Sequence, residues 1–266
     1  MSFAARQEEH GTFGFEEFWP VAYKQYRHQF DTISELVALA NEMLEAAKKT
    51  AVEPIEKIVC ELTRSTTAAA NEVVLLCGNG CGVGALKIVR GMFESSWMAE
   101  YLRRNPKEAD DYLDFLPISI WRRFQWLLAT NPDKAKLVAQ ETVRNNEDEY
   151  NRVKPRFSDA SGHVRNQWSQ KSIKKVAEEI GHKDEYDLPY SIACSIHHAN
   201  AEGLLAYLGA RDDEIIVDLP PSISWVEQAL VSAQAKLRFA LDTLNSSCKL
   251  EFSDRLKTAS ESFRKA

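Results

Sequence analysis

The sequence predicts an all-α protein, a multi-helix bundle of about seven to nine helices with one central, buried helix. Three observations carry this expectation. Apolar residues recur at helical spacing over long segments, roughly 31–76, 83–104, 106–129, 132–150, 168–180, 187–208 and 222–246. Helix-start signals stand at or near the head of several of them. A single short stretch, EIIVDL at 214–219, reads as strand, and it is unpartnered in the sequence.

The elements follow in order. Residues 1–30 form an N-terminal segment, 31–247 a single helical domain, and 248–266 a charged tail that is either a docked helix or a frayed one. Thr32-Ile-Ser-Glu35 has the spacing of a capping box and predicts a helix start. Asn105-Pro106-Lys-Glu108 repeats the signal with proline at the first helical position, and Asn131-Pro132 does the same. Ser222 and Ser224 with Glu227, after Pro220-Pro221, open the last long helix. The turn formers of VKPRFSDASG at 153–162 predict a loop inside the domain. The 83–104 helix is the expected centre, because Ile88, Met92, Met98 and Leu102 make it apolar nearly all round.

Composition bounds the function classes. Apolar content of 44% and charged content of 27% describe an ordinary folded chain. A net charge of −6 disfavours a globally electrostatic nucleic-acid binder, though not a local basic patch. The N-terminus lacks a basic stretch followed by an apolar core, and no apolar run approaches the ~20 residues of a membrane span, so the expectation is a cytoplasmic protein without a membrane partner. Five cysteines, at 60, 77, 81, 194 and 248, show no paired spacing, which suits a reducing compartment.

The most informative residues lie in two segments, GALKIVRGMFESSWMAEY at 84–101 and YSIACSIHHANAEGLLAYL at 190–208. On the first, Val89, Phe93, Trp97 and Tyr101 share the apolar face, with Arg90 between them and Glu94 at its flank. On the second, Tyr190, Cys194, Ala201, Leu204 and Leu208 share a face, with His197 in its middle. Buried charge is costly unless paired, so Arg90, Glu94 and His197 are expected to meet one another or a ligand. Arg90 precedes Glu94 at i, i+4, the weaker orientation, worth only about 0.2–0.5 kcal/mol on a surface, so a solvated pair explains their placement poorly. Two readings stand. One is a buried Arg–Glu–His network fixing helix register. The other is a polar pocket in which Arg90 holds a small anion, Trp97, Tyr101, Tyr190 and Cys194 line the wall, and His197 and Glu94 are the candidate acid–base residues.

Other motifs are weighed by context. Gly80-x-Gly82-x-x-Ala85 after an apolar run imitates a dinucleotide fingerprint, but no second strand or acidic strand end follows, so a glycine-rich helix–helix turn is expected and no cofactor. Exposed amides at the start of the next helix would suit an anion. Cys77-x-x-x-Cys81 lacks a second ligand pair, and His197 and His198 diverge by about 100° on a helix, so no metal is expected. Cys194 and His197, at i, i+3, are spaced as a thiolate–imidazole couple, with no orienting Asp or Asn to complete it. Residues 151–175 carry seven Lys/Arg against one acid, Asp159, with Phe157, His163 and Trp168 interleaved, a footprint that suits RNA through 152–175. Arg156 and His163 there have the spacing of the Arg-x(4–6)-His motif of HEPN-type ribonucleases. That reading carries a homodimer and a toxin or phage-defence role, although FSDASG between them reads as loop.

Arg90-Gly-Met-Phe-Glu94, then Tyr101-Leu102, Asn105-Pro106 and Tyr112, resembles an uncharacterised bacterial family, a domain of unknown function. Its pattern is Arg-Ser-Leu-(Leu/Phe)-Glu, an aromatic, and a later Tyr-x-x-x-Ser-x-x-(Val/Ile)-His. Tyr190, Cys194 and His197 are matched to the second motif, with Cys194 standing where the family usually has Ser. The resemblance spans roughly 50–210, implies an all-helical fold and leaves the activity open. The cysteine weakens any scheme that needs a hydroxyl nucleophile at that position.

Overall fold

The computed structural model describes residues 14–211 and 214–264. In chain order the helices are α1 (Trp19–Thr50), α2 (Pro54–Gly78), α3 (Gly82–Arg104), α4 (Ala109–Thr130), α5 (Pro132–Ala135), α6 (Gln140–Val153) and α7 (Ile173–Ile180). A turn Lys183–Glu185 and a π-helical turn Tyr186–Tyr190 lead into α8 (Ser191–His197) and α9 (Ala201–Leu204). A hairpin, β1 (Leu208–Arg211) and β2 (Glu214–Val217), precedes α10 (Val226–Ser247) and α11 (Ser253–Arg264). The protein is all-α apart from this hairpin. No helix among the described residues is long and apolar enough to cross a membrane.

The described residues divide into two compact units, one comprising those up to Arg103 together with those from Ile173 onward, the other Arg104–Ser172. In the first unit α1, α2 and α10 pack against one another. Small residues permit the approach: Ala229, Ala233 and Ala240 on α10 and Ala70 on α2 are fully buried, and Thr63 donates to the Ala240 carbonyl at 3.5 Å. α3 buries Leu86, Val89, Met92, Phe93, Trp97, Ala99, Tyr101 and Leu102, and a large apolar side chain so enclosed contributes about 1.5–3 kcal/mol. The tail docks as a helix. Arg255 of α11 pairs with Glu42 of α1 through both oxygens, at 2.6 and 3.0 Å, and Leu256 is buried.

The second unit is built on α4 and α6. Phe115, Ile118, Val153 and Phe157 form its core, with Tyr150, Val164 and Trp168 packed on it. Arg122 donates to the carbonyls of Val164 and Arg165 at 2.7 and 2.8 Å, tying the 158–165 turn to α4.

Several expected boundaries move, each for a local reason. The 31–76 segment is two helices, because Pro54 starts α2 and Glu53 and Glu56 close a capping box at its head. Thr32 lies inside α1, its hydroxyl bonded back to the His28 carbonyl at 2.8 Å, and the helix begins instead at Trp19. The 132–150 segment divides into α5 and α6. The 187–208 helix ends at His197: Ala199 has φ +50°, Asn200 caps α9 by accepting from Gly203 N, and the chain folds back so closely that a Cβ at Gly203 would lie 2.0 Å from the Ser195 carbonyl oxygen. The 214–219 strand is partnered after all, antiparallel with β1, Leu208 opposite Val217 and Ala210 opposite Ile215.

The glycine-rich stretch is a helix–helix turn. Gly80 takes φ +66° and its carbonyl accepts from Ser222 N at 3.0 Å. A Cβ on Gly82 would sit 2.3 Å from the Ser224 carbonyl oxygen. The 222–226 backbone therefore lies against the first turn of α3, where an anion would have had to bind.

Gly82→Ala is expected to cost about 1–3 kcal/mol, because the methyl group meets rigid backbone. Gly91→Ala, in mid-helix with nothing within 4 Å of the added carbon, is expected to stabilise by about 1 kcal/mol. Urea unfolding of both variants checks the pair.

Candidate functional site

α3 enters the core with Phe93 and Trp97 one turn apart, their rings 5.2 Å centre to centre. The π-helical turn brings Tyr190 against both, 6.0 Å from Phe93 and 5.1 Å from Trp97. This aromatic floor orients the polar groups above it. Tyr190 donates its hydroxyl to Glu94 Oε1 at 2.6 Å. Arg90 Nη2 reaches the same oxygen at 2.7 Å, with the Arg90 and Glu94 side chains 23% and 36% exposed. Arg90 Nε donates to Cys194 Sγ at 3.3 Å. Burial opposes the Arg90 charge, but the Cys194 thiol and Glu94 carboxylate outweigh it and hold the guanidinium charged. Burial, then the bond to Glu94, pushes the Tyr190 hydroxyl up, so it stays a donor.

Of the expected set, Arg90, Glu94, Trp97, Tyr190 and Cys194 come together. Tyr101 is fully buried one turn beyond Trp97. His197 does not join them: it is the last residue of α8 and exposed, its ring stacked edge-on against His198 at 5.1 Å. The expected Arg–Glu–His network is thus an Arg–Glu–Tyr–Cys network. The thiolate–imidazole couple has no hydrogen bond between Cys194 and His197 among the described residues, since the thiol faces Arg90. Counted from Tyr190, the spacing Tyr-x-x-x-Ser-x-x-(Val/Ile)-His ends on His198, also exposed.

A second polar cluster lies against the same aromatics, and sequence inspection missed it. Lys236 of α10 is 1% exposed. Its ammonium lies 4.9 Å from the Phe93 ring centre, 5.8 Å from Trp97 and 5.2 Å from Phe239, and it pairs with Glu185. Glu185 also accepts from Trp97 Nε1 at 3.4 Å and from His182 Nδ1 at 2.9 Å. Burial works against the Glu185 carboxylate, but His182 and Lys236 prevail and lower its pKa to about 2. Burial likewise lowers the pKa of Lys236, against the pull of Glu185. The available signal was projection: Ala229, Ala233, Lys236, Leu237 and Ala240 fall on one face of α10, the same test that singled out Arg90 on α3.

The basic segment of the second unit is largely neutralised within that unit. Arg156 pairs with Asp111 and, at 2.8 Å, with Asp114. Arg152 pairs with Glu149 at 2.9 Å and with Asp114 at 3.3 Å. Arg165 lies 4.8 Å over the Phe157 ring centre. His163 is exposed in the 158–164 turn, where its backbone N–H donates to Asp159 at 2.9 Å. Cys77 is buried with its thiol on the Val226 carbonyl, and Cys81 turns to the Asn79 carbonyl.

A family of unknown function, DUF5677, matches residues 56–215, and the chain belongs to it. The matched span holds Arg90, Glu94, Trp97, Glu185, Tyr190 and Cys194, and stops short of Lys236. No curated protein and no solved structure matches the chain.

Removing the two members of the buried ion pair is expected to have unequal effects. Glu185→Gln leaves Lys236 buried without a counter-charge and costs on the order of 3–5 kcal/mol. Lys236→Met leaves a half-exposed Glu185 still bonded to His182 and Trp97, and changes stability by less than about 1.5 kcal/mol. The carboxylate pKa lies below its ordinary value of 4.5, so its contribution is full above that pH and is lost as pH falls towards 2. Thermal unfolding between pH 6 and pH 2 should show this acid loss in the wild type and a reduced one in Glu185→Gln.

Proposed function

We propose that this member of DUF5677 is a ligand-binding module whose small anionic ligand, a carboxylate or phosphate, is anchored by Arg90. Glu94 fixes the guanidinium, Tyr190 fixes Glu94, and the buried rings of Phe93, Trp97 and Tyr190 pack together beneath the pair and hold it in place. The observation that carries the reading is the state of Arg90. It is three-quarters buried and held from two sides, Nε on Cys194 and Nη2 on Glu94, while Nη1 takes no partner among the described residues. An arginine pre-set in this way binds an anion without first ordering its own chain.

Magnitudes limit the claim to a modest anchor. Two charge-assisted hydrogen bonds contribute about 1.5–3 kcal/mol each, which corresponds to roughly millimolar binding before any apolar contact. Glu94 offers a negative neighbour, so the ligand must approach on the Nη1 side. Binding is favoured over acid–base catalysis because Glu94 Oε1 is already engaged by the Tyr190 hydroxyl and by the Arg90 ion pair, and His197 stands apart. The HEPN-type ribonuclease reading has less behind it, since Arg156 is occupied by Asp111 and Asp114.

Thermal unfolding in inorganic phosphate and in acetate, at constant ionic strength, tests the proposal. One of the two should raise the wild-type midpoint by about 2–4 °C at saturating concentration, and the shift should vanish in Arg90→Met. A shift that survives the substitution, or none with either anion, overturns the assignment. Arg90→Met itself is expected to cost less than about 1.5 kcal/mol, as its partner Glu94 is half-exposed and keeps the Tyr190 bond; a cost of about 3–5 kcal/mol would mark the arginine as architecture.

A further inference from the structure

Cys60 and Cys248 lie 188 residues apart in the chain, and their sulfurs are 3.9 Å apart in the structure. Both are buried, at 8% and 4% exposure. Cys60 is on α2. Cys248 is the residue that ends α10, its backbone N–H still bonded to the Leu244 carbonyl at 3.0 Å, and Lys249 after it takes φ +53°. A disulfide needs its sulfurs about 2 Å apart, so closure requires a further approach of about 2 Å, within reach of side-chain rotation at two adjacent thiols. The other near pair in sequence, Cys77 and Cys81, turns its thiols to two different carbonyls.

We propose that Cys60 and Cys248 form a peroxide-responsive dithiol that closes into a disulfide joining α2 to the end of α10. Cys60 is the attacking group. It is the more exposed of the two, and the neighbouring Cys248 thiol favours its thiolate, outweighing burial. The Cys60 thiolate attacks one oxygen of hydrogen peroxide. The O–O bond breaks, hydroxide leaves and takes up a proton as water, and Cys60 becomes a sulfenic acid. The Cys248 thiol then attacks that sulfur, the S–O bond breaks, and a second water departs with the Cys248 proton. Sulfur loses two electrons in all and peroxide gains them. Burial disfavours release to bulk solvent and places the resolving thiol in contact with the sulfenic acid, which shields the first product from further oxidation.

The bond would matter for the tail. Cys248 precedes α11, which is held to α1 by the Arg255–Glu42 pair, so the oxidised form pins the last turn of α10 and the start of that connection to α2.

The test treats the full-length protein with hydrogen peroxide, unfolds it in denaturant without reductant, and counts thiols by iodoacetamide labelling and mass. Reduced protein carries five labels, one per cysteine; the oxidised protein should carry three and have lost two hydrogens. Peptide mapping should find Cys60 joined to Cys248, dithiothreitol should restore all five labels, and Cys60→Ser should keep four labels under the same treatment. Five labels persisting after peroxide, or a bond joining any other pair, overturns the proposal. Mapping on the wild type decides the matter even where Cys60→Ser fails to fold.

Discussion

The ring of Trp97 is wholly enclosed, yet its single polar atom finds Glu185, and the Arg90–Glu94 and Lys236–Glu185 pairs are both organised around it. Tyr190 packs on the ring and orients Glu94 and Arg90. Lys236 lies over the Phe93 and Trp97 rings while pairing with Glu185. Aromatic faces attract cations and exclude water, so the same surface strengthens the electrostatics of both clusters. Remove the ring and each cluster loses its floor and its dielectric together.

The two clusters differ in what burial demands of them. Lys236 is almost inaccessible, and such a charge persists only because Glu185 and three aromatic rings replace its water. Arg90 and Glu94 reach solvent, and one nitrogen of the guanidinium has no partner among the described residues. The first arrangement is closed chemistry, a fastening between α10 and the π-helical turn. The second is open, and the proposed anion site rests on it.

Much of the site was legible because helical projection holds wherever a helix is continuous. α3 is unbroken from Gly82 to Arg104, so the placement of Arg90, Glu94 and Trp97 on its inner side was readable from spacing. Tyr190 and Cys194 stand one turn apart and remained readable for the same reason. His197 was misplaced because the projection was carried through a helix end: Asn200 caps a new turn, Ala199 turns left-handed, and the face beyond residue 197 is no longer the same face. Lys236 shows the opposite failure, since its placement was readable by the same rule on α10 and only the assumption that lysine faces water concealed it. β1 was hidden because LGAR has neither alternation nor branched side chains, and only pairing with EIIV makes it a strand.

By itself the sequence determined the helical class, the glycine-rich turn and which side chains of α3 point inward, because these depend on residues within a few positions of one another. Tertiary structure alone decided which partners those side chains meet. Glu185 meets Lys236 across 51 positions, Arg90 meets Cys194 across 104, and Cys60 meets Cys248 across 188. Local periodicity fixes a direction on a helix, whereas a contact also needs the position and rotation of a second helix. That information resides in how α1, α2, α3 and α10 share a core, not in any one of them.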